Sequence, residues 1–279
     1  MSYKTILVHV DQSRHAATRM KIAAELAVAQ NAHLVGTAMS GISRYVYQDY
    51  ALGGAGAIIA GQIDALYKSG TAALEEFEKI AQSAGVLSFE KRMVDDEPEG
   101  GLALQARYSD LVIVSQTDQE DAFARLFPDL PEYVTLNCAR PVLIVPYAGR
   151  FESIASRAVI AWDGSMEATR AVTNALPLLR HAKNVTLAVF NSSTRYDVHG
   201  EQPGSDIALF LTRHGVKVEV LNQVTNIDAG NALLSLCSDV GADLIVMGCY
   251  GHTRFRELLL GGVTKTVLET MTVPVLMSH

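Results

Sequence analysis

Ten short apolar segments alternate along the chain with longer, helix-like segments. The apolar segments have the length and β-branched composition of buried strands, and they lie near 4–10, 33–39, 88–94, 110–115 and 141–145, then near 157–162, 185–190, 216–221, 243–247 and 274–277. Alanine-rich runs at 16–30 and 166–179 predict two of the intervening helices. Strands that alternate with helices indicate a parallel sheet with helices on both faces. The predicted fold class is α/β, with doubly wound, Rossmann-like sheets.

The second half of the chain repeats the first. In both halves an apolar strand ends in Asp-x-Ser before a helix, at Asp11 and again at Asp163. The distance from Ser115 to Pro141 is 26 positions, and the distance from Gly248 to Pro274 is the same. This repeat predicts two tandem domains, at 1–148 and 153–279, joined by a segment with few apolar positions.

Composition and charge narrow the functional classes. Of the 279 residues, 49% are hydrophobic and 19% are charged, and the net charge of -7 argues against binding to nucleic acids or anionic membranes. No apolar run reaches the roughly 18–20 residues that a bilayer span needs. The first residues run directly into a strand, so we expect no signal peptide. The three cysteines have no metal-binding spacing. We therefore expect a cytoplasmic protein.

A glycine-rich motif follows the strand at 242–247. It runs Gly248-Cys-Tyr-Gly251, then nine residues, then Gly261-Gly262-Val263-Thr264, where a helix is predicted to begin. Glycines let the backbone approach an anion closely, and the free N–H groups at a helix start donate to it. Asp163 ends another strand of this half and should lie at the same edge of the sheet. The pattern predicts phosphate binding beside a carboxylate.

These residues closely resemble the universal stress protein family in its tandem form. Nucleotide-binding members carry G-x2-G-x9-G-[S/T] after the fourth strand and an Asp at the end of the first, as the second half does here in most positions. The resemblance implies five-stranded domains of the adenine nucleotide alpha-hydrolase-like type. It also implies that they pair through their last strands as an intramolecular pseudo-dimer, with a homodimer left open.

The resemblance further implies that the second domain binds ATP or another adenine nucleotide, with or without Mg²⁺. Ala161 and Phe190 would flank adenine, and Asp163 would hold the ribose hydroxyls. The ribose and α-phosphate would be lined by Gly248, Tyr250 and Gly251, and the outer phosphates would meet Gly261, Gly262, Val263 and Thr264. The Ser/Thr position of the motif is Gly262 here, so Thr264 is expected to compensate for the lost hydroxyl.

The first half departs from this motif. By the equal spacing, Asp118, Pro128, Asp129 and Pro131 stand where the second half has Gly251, Gly261, Gly262 and Thr264. Prolines remove N–H donors, and aspartates repel phosphate. We therefore expect no ATP site in the first domain, although Asp11 is retained. About 19 extra residues separate Asp11 from Ser115, and we place them near 40–69. An added helix over apolar surface, or a subunit contact, is favoured over a lid or an apolar ligand site.

Other interpretations stay open. Asp163 could only cap the following helix, and the glycines could only mark turns. Arg254 and Arg256 could reach phosphate, and Cys249 could be a reactive thiol. A metal set of His9, Asp11 and His15 is disfavoured, because no second cluster of ligands supports it.

We find no catalytic residues or metal ligands to name, and interpret the chain as a nucleotide-binding regulator of the stress response with an unidentified protein partner. The alternatives are a slow ATPase or phosphotransferase switch, and a partner-binding protein with two vestigial sites.

Overall fold

The computed structural model describes residues 2–41, 56–121, 124–151, 153–192, 201–250 and 262–279. The chain divides into two compact units, Ser2–Arg140 (the first unit) and Pro141–His279 (the second unit). The strand at 142–145 belongs to the second unit because it pairs there with the last strand of the chain. The domain boundary expected near 147–153 stays a prediction. In the described part of the chain, no helix is long and apolar enough to cross a membrane.

The first unit contains four parallel strands in the order β3-β2-β1-β4. Its elements are β1 (Thr5–His9), α1 (Ala16–Gln30), β2 (His33–Met39), α2 (Gly56–Ala84), β3 (Phe89–Val94), α3 (Pro98–Gln105), β4 (Leu111–Ser115) and α4 (Leu130–Asn137). Short 3-10 turns occupy Ala106–Tyr108 and Ala124–Leu126. The sheet is the core, since β1 and β4 are almost completely buried.

The second unit has the strand order β5-β10-β9-β6-β7-β8. Its elements are β5 (Val142–Val145), β6 (Arg157–Ala161), α5 (Met166–Leu179), β7 (Asn184–Phe190), α6 (Ser205–Arg213), β8 (Val218–Gln223), α7 (Ala229–Val240), β9 (Leu244–Gly248), α8 (Val263–Thr270) and β10 (Val275–Ser278). All neighbours from β10 to β8 are parallel, and β5 runs antiparallel to β10 with Leu143 opposite Leu276. The α/β prediction is confirmed. The helices lie at 16–30 and 166–179 as expected, and every strand begins and ends within two residues of its expected bounds.

Helices cover both faces of the first sheet. A Cβ built on Gly36 would meet the ring of Phe77 in α2 at 2.5 Å, whereas a Cβ on Gly101 in α3 would meet the sulfur of Met39 at 2.6 Å. Gly36 and Met39 lie three residues apart on β2, so they face opposite sides of the sheet.

The added residues of the first half contribute to the long helix α2, which has 29 residues where α6 has 9. Its Ala73, Leu74, Phe77 and Ala81 are buried, as expected of a helix that covers apolar surface. Residues 42–55, where a lid was the alternative, lie outside the described residues.

Candidate functional site

The expected site lies at the carboxyl ends of the strands in the second unit. There β6 is flanked by β7 and β9, with Ala161 opposite both Ala188 and Met247. The chain leaves β6 toward β7 on one side and enters β9 on the other, so strand order reverses between β6 and β9. Crevices at such reversals are where open α/β sheets bind ligands.

Asp163 is held in a defined turn just beyond β6. Its Oδ1 accepts a hydrogen bond from the Ser165 N–H at 3.0 Å, and Gly164 between them has the left-handed φ of 74° that this turn needs. Ser165, not Asp163, is the N-cap of α5, because its hydroxyl oxygen accepts from the Ala168 N–H at 3.1 Å. The turn fixes the Asp163 carboxylate at the edge of the sheet.

Gly248 ends β9 and packs directly against the first turn of α5. A Cβ at this position would lie 2.5 Å from the Ala168 nitrogen and 2.7 Å from the Glu167 carbonyl carbon. Backbone atoms cannot move away as easily as a flexible side chain can, so any larger residue here would force β9 and α5 apart. The glycine therefore brings the ends of β9 and α5 close together beside the Asp163 turn.

Tyr250 and Thr264 connect the two ends of the glycine motif. Tyr250 has a left-handed φ of 55°, and its N–H donates a long hydrogen bond of 3.4 Å to the Thr264 hydroxyl. Thr264 is buried at 2% exposure, within α8, which follows its N-cap Gly262. Gly251, Gly261, Arg254 and Arg256 lie outside the described residues. The predicted phosphate contacts, including those of Val263 and Thr264, stay predictions.

The two residues expected around adenine share one face of the sheet. Ala161 lies opposite Ala188, and Phe190 is two residues further along β7, so both side chains point the same way. Both are partly exposed, and Asp163 follows Ala161 by two residues. The roles expected for these three residues toward a nucleoside stay predictions.

The corresponding edge of the first unit contains a buried ion pair that sequence reasoning missed. The Arg19 guanidinium on α1 lies with Nη2 2.9 Å from Asp11 Oδ1. Its Nε donates to the His9 carbonyl at 2.8 Å, and its Nη1 donates to the Ser115 hydroxyl at 2.7 Å. Arg19 is only 1% exposed. Asp11 also accepts from the Ser13 N–H at 2.9 Å, as Asp163 does from Ser165. The cation thus joins the ends of β1 and β4.

Burial and the ion pair shift the pKa values of this cluster. His9 Nδ1 lies 3.3 Å from Asp11 Oδ2. Burial, together with the nearby charge of Arg19, lowers the pKa of His9 to about 4. Burial by itself would raise the pKa of Asp11, but the charge of Arg19, the neighbouring His9 and the hydrogen bonds from Ser13 hold that pKa well below its ordinary value. Asp11 is therefore ionised and His9 neutral near pH 7.

The loop after β4 is tied to the start of α1 by carboxylates. Asp118 Oδ2 lies 3.0 Å from His15 Nε2, and Asp121 Oδ2 accepts from the Arg14 N–H at 2.7 Å. The amide of Glu120 and His15 both stabilise the Asp118 carboxylate, which lowers its pKa. A pocket opens beside the loop and is lined by His15, Thr117, Phe127 and Pro131, among others. At the far end of the loop, Asp129 is the N-cap of α4, as Gly262 is of α8.

Two other chemistries raised by the sequence concern metal ligands and cysteine thiols. No group of three or more His, Cys, Asp or Glu side chains among them could hold a metal ion. Cys138, Cys237 and Cys249 are buried. The Cys249 sulfur lies 3.5 Å from the Ser278 carbonyl oxygen, so it faces the end of β10 rather than solvent.

The fold places the chain among the doubly wound α/β proteins, and comparison with known sequences shows which family its second unit resembles. Residues 155–279 match the profile of the universal stress protein family. The second unit is therefore similar to this family along most of its length.

Two curated relatives are named universal stress proteins. The chain is 27% identical over 145 residues to universal stress protein Slr1230 of Synechocystis, a match that covers 52% of this chain and 49% of that protein. It is 41% identical over 44 residues to universal stress protein MJ0577 of Methanocaldococcus jannaschii, covering 16% of this chain and 27% of that one. The matches thus span about half or less of each curated relative.

A solved structure extends the likeness to both units. The crystal structure of a universal stress protein from Archaeoglobus fulgidus superposes with a TM-score of 0.73 at 17% identity, covering 98% of this chain and 95% of that one. At this identity the likeness concerns the fold, which the first unit shares.

Proposed function

We propose that this chain is a tandem universal stress protein whose second domain binds ATP or another adenine nucleotide, and that it acts in the stress response as a nucleotide-dependent regulator. The observation that carries the proposal is the Asp163 carboxylate, fixed by its turn at the strand edge beside the Gly248 contact. A carboxylate there can accept hydrogen bonds from vicinal hydroxyls, which ribose supplies.

The chemistry around this carboxylate suits the rest of a nucleotide. Ala161 and Phe190 offer apolar surface for a base on the same face of the sheet. The start of α8 at Gly262 presents N–H groups, which favour phosphate because they are not used within the helix. The nucleotide would be held as a ligand with these residues as its contacts, and Mg²⁺, when present, would accompany the phosphates.

The first domain is not expected to bind nucleotide in this way. Its Asp11 is already paired with Arg19, and aspartates stand in the loop where phosphate would need N–H donors. We therefore expect one nucleotide for each chain. Nucleotide binding would then affect only the second domain, while the first domain keeps one structure. This asymmetry suits a regulator better than an enzyme with two equivalent sites.

Isothermal titration of the full chain with ATP tests the proposal. We expect a stoichiometry near one, and loss of binding in Gly251→Asp and Gly261→Asp, because each adds a carboxylate and a Cβ to the phosphate-binding turn. Asp118→Asn is the matched control in the first unit and should leave ATP affinity unchanged. Mass spectrometry of freshly purified protein adds a second readout, in which an adenine nucleotide is expected. Unchanged affinity in both glycine variants would refute the site.

A further inference from the structure

The two units use the same fold but differ at one buried helix position. β1 and β6 are offset by 152 residues, and the buried positions Ala16 and Ala168 in the following helices keep this offset. At the same offset, Arg19 corresponds to Ala171. Both are buried, at 1% and 0% exposure. One unit thus encloses a full guanidinium where the other encloses a methyl group.

A second difference matches the first. β4 and β9 are offset by 133 residues, so Ser115, which accepts a hydrogen bond from Arg19, corresponds to Gly248. In the second unit the missing side chain lets α5 approach the strand end, where a Cβ would lie 2.5 Å from backbone. In the first unit the hydroxyl of Ser115 and the guanidinium occupy this region instead. The two positions therefore change together. The first unit combines Arg19 with Ser115, and the second unit combines a small residue on the helix with Gly248.

Polar and charged contacts also hold the loop after β4 in place. Asp121 accepts from the Arg14 N–H at the entry to α1, and Asp118 contacts His15. At the loop's other end, the Thr117 hydroxyl donates to the Pro128 carbonyl at 2.7 Å. A backbone N–H at a helix entry is a typical partner for a bound anion. Here a carboxylate of the same chain takes that hydrogen bond.

We propose that the pocket of the first unit is self-liganded, meaning that Arg19, Asp118 and Asp121 provide the charged contacts that keep its loop closed without a bound molecule. Arg19 pairs with Asp11 and donates hydrogen bonds at the ends of β1 and β4. The two aspartates bind the loop to the start of α1. The first unit is then permanently in a closed form. Together with the proposed function, this makes the chain asymmetric, since only the second unit would respond to nucleotide.

Hydrogen exchange of the full chain, followed by mass spectrometry, tests the closed loop. Without ligand, the amides of Arg14 and Glu120 should be protected, and saturating ATP should not change their exchange. Asp121→Ala removes the acceptor of the Arg14 N–H and should speed exchange of that amide roughly ten-fold. Glu120→Ala removes the neighbouring exposed carboxylate and is the matched control, with no effect expected at Arg14.

A second variant copies the other unit. The double variant Arg19→Ala/Ser115→Gly should speed exchange across residues 112–121. If the double variant does not fold, the single variant Asp121→Ala still tests the proposal. An Arg14 amide that exchanges freely in the unliganded protein, or that becomes protected only when ATP is added, would overturn self-liganding. Absence of any ATP effect on residues 245–264 would instead count against the proposed function and leave self-liganding standing.

Discussion

The Arg19 guanidinium and the Asp11 carboxylate form an ion pair at 2.9 Å, with both side chains almost completely removed from solvent. Removing one partner of such a pair leaves an uncompensated buried charge. We predict that Arg19→Ala and Asp11→Ala each lower the free energy of unfolding by about 3–5 kcal/mol. Urea denaturation followed by circular dichroism measures the loss. The double variant should lose less than the sum of the two, whereas strict additivity would show that the pair is not coupled.

His9 should make stability depend on pH. Burial holds the folded pKa of His9 at about 4, below the ordinary value of 6.5. Between these values the unfolded chain binds a proton that the folded chain does not, so the free energy of unfolding falls as pH is lowered. The slope from this group approaches about 1.4 kcal/mol per pH unit. His9→Gln, which cannot titrate, should show a shallower decline in the same window. Equal slopes in both proteins would place the pH dependence elsewhere.

A side chain larger than that of glycine at position 248 should destabilise the protein. Gly248→Ala places a Cβ 2.5 Å from the backbone nitrogen of Ala168, so α5 must move away from β9. We expect a loss of about 1–3 kcal/mol or more, measured by urea denaturation. Gly100→Ala is the control, because a Cβ there meets nothing within 4 Å and the residue lies inside α3. That substitution should be neutral or stabilise the protein by about 0.5–1 kcal/mol. Similar results at both glycines would refute the packing argument.

The cysteines should be unreactive in the folded protein. Burial raises the pKa of the Cys237 thiol to about 12 and also raises the pKa of Cys138, so neither forms much thiolate near neutral pH. Cys249 is buried against the end of β10. A chromogenic disulfide reagent should therefore detect almost no thiol in native protein and three after unfolding in urea. Rapid native labelling of Cys249 would revive the reactive-thiol hypothesis.

The fold could be predicted because the apolar residues of each strand and helix follow the spacing of that element, and because the two halves repeat the same order of elements. The bounds of α1 and α5 and the equal register of the two halves are visible in the residues alone. The Arg19 cluster was not predicted, because an arginine within an alanine-rich helix ordinarily lies on the solvent face. Its only sequence signal is that the repeat places Ala171 at the same position. Likewise, the capping role of Ser165 depends on side-chain geometry that spacing does not determine.

Asp163 should select ribose over deoxyribose. If its carboxylate accepts hydrogen bonds from both ribose hydroxyls, each bond contributes about 1.5–3 kcal/mol, and 2′-deoxy-ATP forms only one of them. Asp163→Ala should then weaken ATP binding more than it weakens 2′-deoxy-ATP binding, as measured by titration calorimetry. Asp163→Asn is the matched control for the local turn, since its side-chain oxygen can still accept from the Ser165 N–H. We expect Asp163→Asn to retain the folded stability of the natural protein while binding ATP less tightly. Equal losses for both nucleotides in Asp163→Ala would mean that the carboxylate serves the turn and not the ribose.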